Sequence, residues 1–344
     1  MKQSLIGLTI VLSQLSFTDV AAQTKYIQAV DEYVPAPGQF VNTLPVADEN
    51  DTPETMARKC TERLAGGAGE MVTLGAYGGY IVFHFDHPVA NIQGQRDFAV
   101  WGNAFDYAAE PAIVMVAVDA NGNGLPDDEW YELRGSEYDN PLTQHHYRLT
   151  YTYSPLADVQ WTDNQGVQGS VPRNTFHSQE YFPLWLTAQE SLTFTGARLP
   201  DNAYLEGKKY LLPAYDYGYA DNQPNDNIEG CSMDISWAVD ADGRPVSLSH
   251  IDFVKCYNAM NQVCGSIGET STEITGAEDL HLEASIEQAE GISEIVNSKS
   301  SNCKSSNSKF FDLQGRRMGS SHFSLPTSHL KKGLYIRNGK KHIY

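Results

Sequence analysis

The sequence predicts an all-β protein: an antiparallel β-sandwich of the jelly-roll type, with one short N-terminal helix and a small β-rich C-terminal module. Two observations predict this class. Between residues 70 and 285, at least eight short runs rich in β-branched and aromatic residues alternate with Gly, Asn, Asp and Pro. No helical period separates these runs, so the crossover helices that a parallel α/β sheet requires are not predicted.

Residues 1–22 have the pattern of a secretory signal peptide. A basic start at Lys2 precedes the apolar run LIGLTIVL, and the small residues Val20 and Ala22 flank a predicted cleavage site. No later segment has the ~20 apolar residues of a transmembrane helix, and no Cys before Cys60 offers a lipid-anchor site. We therefore expect an exported protein without a transmembrane span, located at the cell surface or outside the cell.

Residues 23–69 are predicted to form an irregular segment that contains one short helix. In TPETMARKCTERLAGG, Thr52 can cap the helix, Pro53 suits its first turn, and Gly66 and Gly67 can end it. Cys60 falls on the apolar stripe of this helix, which predicts a buried thiol.

The strands are predicted from residue 70 to about residue 285. The runs that read as strands or strand pairs are MVTLGAYGGYIVFHFDHPV, DFAVWGNAF, AIVMVAVD, WYELRGSEY, HHYRLTYTY, SLTFTGARL, MDISWAVD and HIDFVKCY. An Asp-Gly hairpin turn is predicted within VDADGRPV, at residues 239–246.

Charge is unevenly distributed along the chain. The formal net charge is −19, but residues 297–344 carry ten Lys and Arg against one acid, so removing their +9 leaves −28 on residues 1–296. Such an acidic body repels phosphate backbones and anionic lipid, so we expect no nucleic-acid partner. Cations are the partners that this charge favours.

Five cysteines enter an oxidising compartment if the protein is exported. Cys256 and Cys264 are close enough in sequence to close a local loop, but spacing does not decide the pairing. We expect Cys303 to stay unpaired.

Residues 286–309 form a Ser/Asn/Lys-rich segment that predicts a flexible linker. Residues 310–344 follow as a separate β-rich module. Its FDLQGRRM and LKKGLYIRNGKKHIY segments resemble the C-terminal sorting domain of type IX secretion substrates in Bacteroidetes. The matching positions are Phe311, Asp312, Leu313, Gly315, Arg316, Leu330, Gly333, Tyr335 and Ile336, and the resemblance implies export.

The body, over about residues 72–281, resembles an uncharacterised Bacteroidetes family of cell-surface proteins. The segments that carry this resemblance are VTLGAYGGYIVFHFDHPVAN, DFAVWGNAF, EPAIVMVAVDANGNGLPDDEWYELRGSEY, YGYADN and GETSTEITGAEDLH. Members are often encoded beside surface β-propellers and outer-membrane corrinoid uptake components. The resemblance therefore implies nutrient capture, with outer-membrane uptake proteins as partners.

The segment DANGNGLPDD predicts a calcium site. Oxygen-bearing side chains recur at alternate positions with the spacing of a calcium loop, and a Gly permits the turn. Trp130 occupies the position where an EF-hand places its bidentate Glu, and strands flank the loop, so we expect structural calcium without a helix-loop-helix sensor. The predicted ligands are Asp119, Asn121, Asn123, Leu125, Asp127 and Asp128. The alternative is a hairpin turn whose side chains cap backbone amides.

Aromatic side chains beside Asn and Asp predict a ligand pocket. Planar rings present apolar faces to a sugar or a corrin ring, while amides and carboxylates bond its polar rim. The polar, Gly-containing segment YDYGYADN is expected to form a loop at the rim of the sandwich. The predicted ligand contacts are Trp101, Asn103, Trp161, Tyr215, Tyr217, Tyr219, Asp221 and Asn222.

No catalytic motif is present: the sequence lacks a Gly-x-Ser-x-Gly elbow, a His-Glu-x-x-His zinc motif and a phosphate-binding loop. HFDH at residues 84–87 alternates across a strand, which disfavours a shared metal. We predict a non-catalytic binding protein for a small nutrient, either a glycan or a corrinoid. The alternatives are a carbohydrate hydrolase with a carboxylate pair distant in sequence, and an adhesin.

Overall fold

The structure, a computed structural model, describes residues 22–284 and four short strands at residues 309–311, 317–320, 334–337 and 340–343. The chain divides into two units, Met1–Ala289 and Glu290–Tyr344. Several predictions lie outside the described residues: the signal peptide up to residue 21, nearly all of the linker with Cys303, and the tail positions Asp312, Leu313, Gly315, Arg316, Leu330 and Gly333.

The first unit is built from short strands and one α-helix, α1 (Pro53–Leu64). Short 3-10 turns occur at Ala65–Gly67, Leu184–Gln189, Ile235–Trp237 and Gly265–Ile267. In chain order the strands are β1 (Ala29–Val34), β2 (Val72–Thr73), β3 (Tyr80–Ala90), β4 (Phe98–Trp101), β5 (Ala112–Ala117), β6 (Trp130–Leu133), β7 (Gln144–Thr152), β8 (Val159–Asp163), β9 (Gln168–Val171), β10 (Ser191–Arg198), β11 (Tyr204–Glu206), β12 (Lys209–Leu211), β13 (Tyr219–Ala220), β14 (Ser232–Met233), β15 (Ala238–Val239), β16 (His250–Asn258), β17 (Glu273–Ile274) and β18 (Gly276–Asp279).

The strands form several antiparallel sheets, which confirms the predicted all-β class. The largest has the order β1-β3-β16-β5-β6-β15, with β13 also paired to β5. A second sheet has the order β10-β7-β8-β9, and a third the order β14-β4-β18. The ladders β11-β12 and β17-β2 are two-stranded. The finer prediction of a two-sheet jelly-roll sandwich remains a prediction.

The predicted helix is confirmed, together with its capping residue. The Thr52 hydroxyl accepts from the Thr55 amide at 3.3 Å, and the Thr55 hydroxyl accepts from the Thr52 amide at 2.8 Å. This reciprocal pair satisfies two amides that the helix start leaves without partners. The buried stripe of α1 contains Met56, Cys60 and Leu64. Within the described part of the chain, no helix is long and apolar enough to cross a membrane.

Residues 29–34, which we expected to be irregular, instead form the edge strand β1 of the largest sheet. A bulge lies between Val30 and Glu32, where β1 pairs with β3. The extra residue lets both Val30 and Tyr33 enter the core although they are three positions apart. Because of this bulge, apolar and polar residues do not alternate strictly along residues 29–34, and the sequence pattern did not indicate a strand.

One face of the largest sheet covers the main core. Alternate residues of β5, namely Ala112, Val114 and Val116, pack there against apolar residues of α1 and of the third sheet. The second face is only partly covered: Ile113 and Tyr257 pack with Ala197 of β10. Part of this face is therefore free to line a cavity.

The cysteines of the first unit are free thiols. Cys60, Cys231, Cys256 and Cys264 are all buried and unpaired with one another, so the loop closure between Cys256 and Cys264 that the spacing permitted does not occur. Cys256 lies on β16 with its side chain in the main core, whereas Cys264 precedes the turn Gly265–Ile267.

The second unit contains one four-stranded antiparallel sheet. Its strands, β19 (Lys309–Phe311), β20 (Arg317–Ser320), β21 (Leu334–Arg337) and β22 (Lys340–Ile343), have the order β20-β19-β21-β22. Residues 310–344 were predicted to be rich in β-structure, and these strands agree with that prediction.

Candidate functional site

A cavity of about 540 Å³ lies on the second face of the largest sheet. Met115, Trp130, Glu132 and Tyr257 line it from the strands β5, β6 and β16. The rest of its lining comes from β10 (Thr195, Gly196, Ala197), from Tyr138, His145 and His146, and from the β15 hairpin (Val239, Asp240, Ala241, Asp242, Gly243).

Strand register explains why these side chains meet. Met115 of β5 lies opposite Glu132 of β6 on one side and opposite Lys255 of β16 on the other. Two residues further along β5, Ala117 pairs with Trp130, the first residue of β6. Because residues two apart share a face of a sheet, Trp130 and Glu132 lie on the cavity side. Their neighbours Tyr131 and Leu133 pack against the main core.

Glu132 is an acid of this cavity whose side chain has no partner among the described residues; we call it uncommitted. The residue as a whole is half-buried, and its carboxyl group makes no hydrogen bond or ion pair with any residue between 22 and 284. Burial alone raises the pKa of Glu132 to about 7. At neutral pH this carboxyl group can therefore either donate or accept a hydrogen bond.

The chemistry of the wall suits a polar ligand with an apolar face. The indole of Trp130 is half-buried. Beside it but outside the cavity lining, Lys255 lies 5.9 Å from the Trp130 ring centroid and 3.9 Å from that of Tyr80. The ring of His145 packs against Tyr138 at 4.7 Å, with Nε2 of His145 3.1 Å from the Tyr138 carbonyl oxygen. Stacking on a ring combined with hydrogen bonds to a carboxyl group is the usual means of holding a sugar-like ligand.

None of the eight predicted ligand residues lines this cavity. Trp161 instead lines a second cavity of about 330 Å³. Trp101 is half-buried at the end of β4, and Asn103 is exposed just after it. The remaining five belong to the segment 215–222, where packing and hydrogen bonds within the protein occupy most of them.

The segment YDYGYADN is a loop up to Gly218 and then enters the short strand β13, so its three tyrosine rings do not share one surface. Tyr219 is buried in β13, and its ring lies 5.5 Å from that of Tyr215. Tyr217 points elsewhere and is 5.0 Å from Trp237. The reason is Gly218, whose positive φ of 89° breaks the extended alternation.

Asn222 is also structural: it is buried, accepts from the Tyr215 amide at 2.8 Å and donates to the Tyr215 carbonyl at 3.0 Å. These contacts use both functions of the side-chain amide.

Asp221 belongs to a cluster of three acids, with Glu110 and Glu273, whose carboxylate oxygens lie within 4.8 Å of one another. Asp221 and Glu273 are buried and Glu110 is half-buried. Asp221 Oδ1 accepts from the amides of Asn103 and Ala104 at 2.7 and 2.8 Å. Its Oδ2 accepts from the Glu273 amide at 2.9 Å. Chain folding thus brings together acids that are 52 to 163 positions apart.

Burial raises the pKa of each acid in this cluster, and repulsion by neighbouring carboxylates adds to the rise for Glu110 and Glu273. The pKa of Asp221 rises to about 7 because of burial, although three backbone amides oppose the rise. The pKa values of Glu110 and Glu273 rise well above the ordinary range because of burial and then of the neighbouring carboxylates. Carboxylate oxygens at this spacing are ligands that a hard divalent cation accepts. Among the described residues, this is the one group of at least three His, Cys, Asp or Glu side chains that is spaced to hold a metal ion.

The side chains of the predicted calcium loop, between β5 and β6, bond to one another and to the loop backbone. Asp119 accepts from the amides of Asn123 and Gly124 at 3.1 and 2.9 Å. The amide groups of Asn121 and Asn123 lie 3.0 to 3.2 Å from the Asp127 carboxylate.

Other oxygens of this loop accept from backbone amides: Asn121 Oδ1 from Asn123 at 3.0 Å, and Asn123 Oδ1 from Leu125 at 2.8 Å. Asp128 accepts from the Ala120 amide at 3.0 Å, and the side chain of Leu125 is exposed. The side chains at positions 121, 123 and 127 therefore converge, and the amide caps expected for a plain hairpin turn are present as well.

The second Asp-rich turn is the predicted hairpin turn, and the histidines of the HFDH segment bond acidic side chains. Asp240 caps the amides of Asp242 and Arg244 at 2.9 and 2.8 Å, which forms an ordinary hairpin turn. His84 bonds Asp31 at 2.8 Å, whereas His87 lies between Asp86 and Asp279 at 2.5 and 2.8 Å. The two histidines thus have separate partners.

Sequence reasoning missed Glu132, Glu110 and Glu273. For Glu132 the sequence offered one indication: it is an acid within the predicted strand WYEL, where it alternates with Tyr131 and Leu133. The two other glutamates had no local signal. Comparison with protein-family models finds no match to this chain, and comparison with curated proteins finds none either.

Proposed function

We propose that this chain is an exported, non-catalytic binding protein that captures a small nutrient ligand at the cell surface. The observation that carries the proposal is the cavity of about 540 Å³, with the Trp130 ring and the uncommitted Glu132 carboxyl group on its floor. A concave site with an aromatic wall and a few unpaired polar groups is the usual form of a small-molecule site. Export is supported by the signal-like N terminus and by the sorting-like tail of the sequence.

The size of the cavity favours a glycan over a corrinoid. Its volume is in the range of pockets that enclose drug-sized molecules, which accommodates a mono- or disaccharide. A corrinoid is larger than such molecules, so this cavity would enclose only part of it. The ligand we propose is therefore a sugar that stacks on Trp130 and bonds Glu132.

Calcium in the loop Asp119–Asp128 is part of the same proposal. This loop directly precedes β6, the strand that carries Trp130 and Glu132. A cation held by the converging side chains at positions 121, 123 and 127 would neutralise acidic charge and fix the start of β6. The binding wall would then be more rigid.

Tryptophan fluorescence on the full chain in calcium buffer, titrated with a panel of oligosaccharides and with cyanocobalamin, tests the proposal. We expect at least one saccharide to saturate the signal, and the Trp130→Ala variant to lose this response. Trp161→Ala is the matched control, because Trp161 lines a different cavity. Binding of cyanocobalamin alone would replace the glycan by a corrinoid, and no response to either class would remove the proposal.

A carbohydrate hydrolase is the second candidate, and Glu132 favours it specifically. A carboxyl group with a pKa of about 7 suits a general acid, and Asp240 and Asp242 line the same cavity. Retaining and inverting hydrolysis both need a second carboxyl group across the bond to be cleaved. Release of reducing sugar by the wild type, abolished in Glu132→Gln, would establish this candidate in place of simple binding.

A further inference from the structure

A second cavity lies apart from the one over Trp130. Its volume is about 330 Å³, and Trp161 and Val171, from β8 and β9, line one part of it. Met260, Asn261 and Glu269 line another part. The two cavities share no lining residue, so a ligand of one does not touch the residues of the other.

Glu269 is the unusual group in this lining. Glu269 is only 2% exposed, and its Oε1 accepts from the Gln39 backbone amide at 2.5 Å. Its Oε2 is buried without a hydrogen-bond partner in the part of the chain that the structure describes. Burial raises the pKa of Glu269 to about 7, so at pH 8 most of this carboxyl group is an anion. A buried anion without a counterion is unfavourable unless another group supplies the charge or the donor.

The other acid in the lining is already neutralised. Asp201 forms an ion pair with Arg198 at 2.9 Å, and the same guanidinium donates to the Asn261 carbonyl at 3.3 Å. Glu269 forms no such pair with a Lys, Arg or His between residues 22 and 284. The unsatisfied negative charge of the cavity is therefore concentrated at one carboxylate oxygen.

Gly169 leaves the space that the Trp161 ring occupies in this lining. Trp161 of β8 lies directly across from Gly169 of β9. A Cβ atom at Gly169 would lie 2.3 Å from the Trp161 ring, so the ring rests against the bare backbone. Tyr210 adds a second aromatic ring to the lining. The cavity thus combines one anionic oxygen with fixed π-faces.

We propose that this cavity binds a small organic cation, with a primary ammonium group at Glu269 Oε2 and an apolar or aromatic body against Trp161. Ammonium groups bond carboxylates through strong charge-assisted hydrogen bonds. They are also attracted to the faces of aromatic rings. This inference goes beyond the proposed function, because it concerns another cavity, another ligand class and another set of residues.

Isothermal titration calorimetry of the full chain at pH 8 tests the inference with two probes of similar shape. Tyramine carries a phenol and a primary ammonium group, while tyrosol replaces the ammonium by a hydroxyl group. We expect tyramine to bind and tyrosol to bind about tenfold more weakly or not at all, since one charge-assisted hydrogen bond is worth roughly that factor. Equal binding of the two probes, or no binding of tyramine, would overturn the inference without any variant.

Variants then locate the site. Glu269→Gln should weaken tyramine about tenfold, and Gly169→Ala should weaken it as well, because the added methyl group displaces Trp161. Glu132→Gln, in the other cavity, is the matched control and should leave tyramine binding unchanged. Loss of tyramine binding in Glu132→Gln but not in Glu269→Gln would place the amine in the other cavity and contradict the inference.

Discussion

Glu132 and Lys255 lie in one row across the largest sheet, separated only by Met115, and do not neutralise each other. Met115 is the direct cross-strand neighbour of both residues, so their Cα atoms are about 10 Å apart at the usual strand spacing. Burial raises the pKa of Glu132 and lowers that of Lys255, and neither shift includes a contribution from the other group. On this face of the sheet Glu132 therefore lines the cavity without a counterion, while the Lys255 ammonium group packs against the rings of Tyr80 and Trp130.

Glu132 should make the folded state more stable in mild acid. Its folded pKa of about 7 lies above the ordinary value of 4.5. Its protonated form therefore favours folding below pH 4.5, and this contribution is lost as the pH rises through about 7. The loss is at most about 3 kcal/mol. Urea unfolding at pH 5 and pH 8 should show that Glu132→Gln gains clearly more stability relative to the wild type at pH 8 than at pH 5. His145, His146, Asp240 and Asp242 line the same cavity and are present in both proteins. An equal difference at the two pH values would show that Glu132 is not desolvated.

Glu110→Gln should stabilise the metal-free protein. The substitution keeps the Oε1 acceptor for the Ser271 amide, which lies at 3.0 Å, and removes one of three mutually repelling carboxylates. We expect a gain of about 1 kcal/mol in urea unfolding with EGTA present. Glu206→Gln, at an exposed position of β11, is the control and should change stability by less than about 0.5 kcal/mol. A less stable Glu110→Gln protein would mean that the three carboxylates are already neutralised by other means.

Calcium should raise the melting temperature through the loop Asp119–Asp128. At a concentration 100 times the dissociation constant, a ligand of the folded state adds about 2.7 kcal/mol, a shift of several degrees for a unit of this size. Asp127→Ala should abolish the shift, because the Asp127 oxygens contact only the side chains of Asn121 and Asn123 in the loop. Asp119→Ala is less informative, since Asp119 also caps two backbone amides.

The second Asp-rich turn supplies the control for this melt. Asp242→Ala should leave the calcium shift intact. If the shift survives Asp127→Ala and disappears in Glu110→Gln, calcium binds the buried acids and the loop is a plain hairpin turn. If calcium causes no shift in the wild type, the calcium part of the proposed function is wrong.

Gly102→Ala should strongly destabilise the fold. A Cβ atom at Gly102 would lie 2.2 Å from Asp221 Oδ1, the oxygen that accepts from the next two amides of the chain. The methyl group must displace this buried carboxylate or the backbone around it, at a cost of about 2–4 kcal/mol. Thermal unfolding measures the loss, and a variant that melts like the wild type would show that the Asp221 contacts contribute little.

Local patterns predicted the elements whose causes are local. The capping pair of Thr52 and Thr55, the apolar stripe of α1 and the Asp-Gly turn at residues 240–243 all follow from residues within one or two turns of chain. Strand β1 was missed because a bulge removes the alternation that a sequence test uses. Gly218 similarly directs Tyr217 to Trp237 while Tyr215 and Tyr219 pack together, a division that the segment alone did not indicate.

The candidate sites were predicted only in part. Trp161 does line a cavity, and Asp221 does belong to a cluster of acids. The partners that give each residue its chemical setting lie 52 to 111 positions away: Glu269 for Trp161, and Glu110 and Glu273 for Asp221. Nothing in the local sequence distinguishes these acids from the many others in an acidic chain.

By itself the sequence determined the all-β class, the short capped helix and the concentration of negative charge in residues 1–296. Alternation, capping and composition act through neighbours along the chain, so they can be read without coordinates. Only the tertiary structure decided which acids are desolvated, which rings line a cavity and which cysteines remain apart. Those properties depend on strand register and on the packing of distant segments, because burial and electrostatic repulsion act through space and not along the chain.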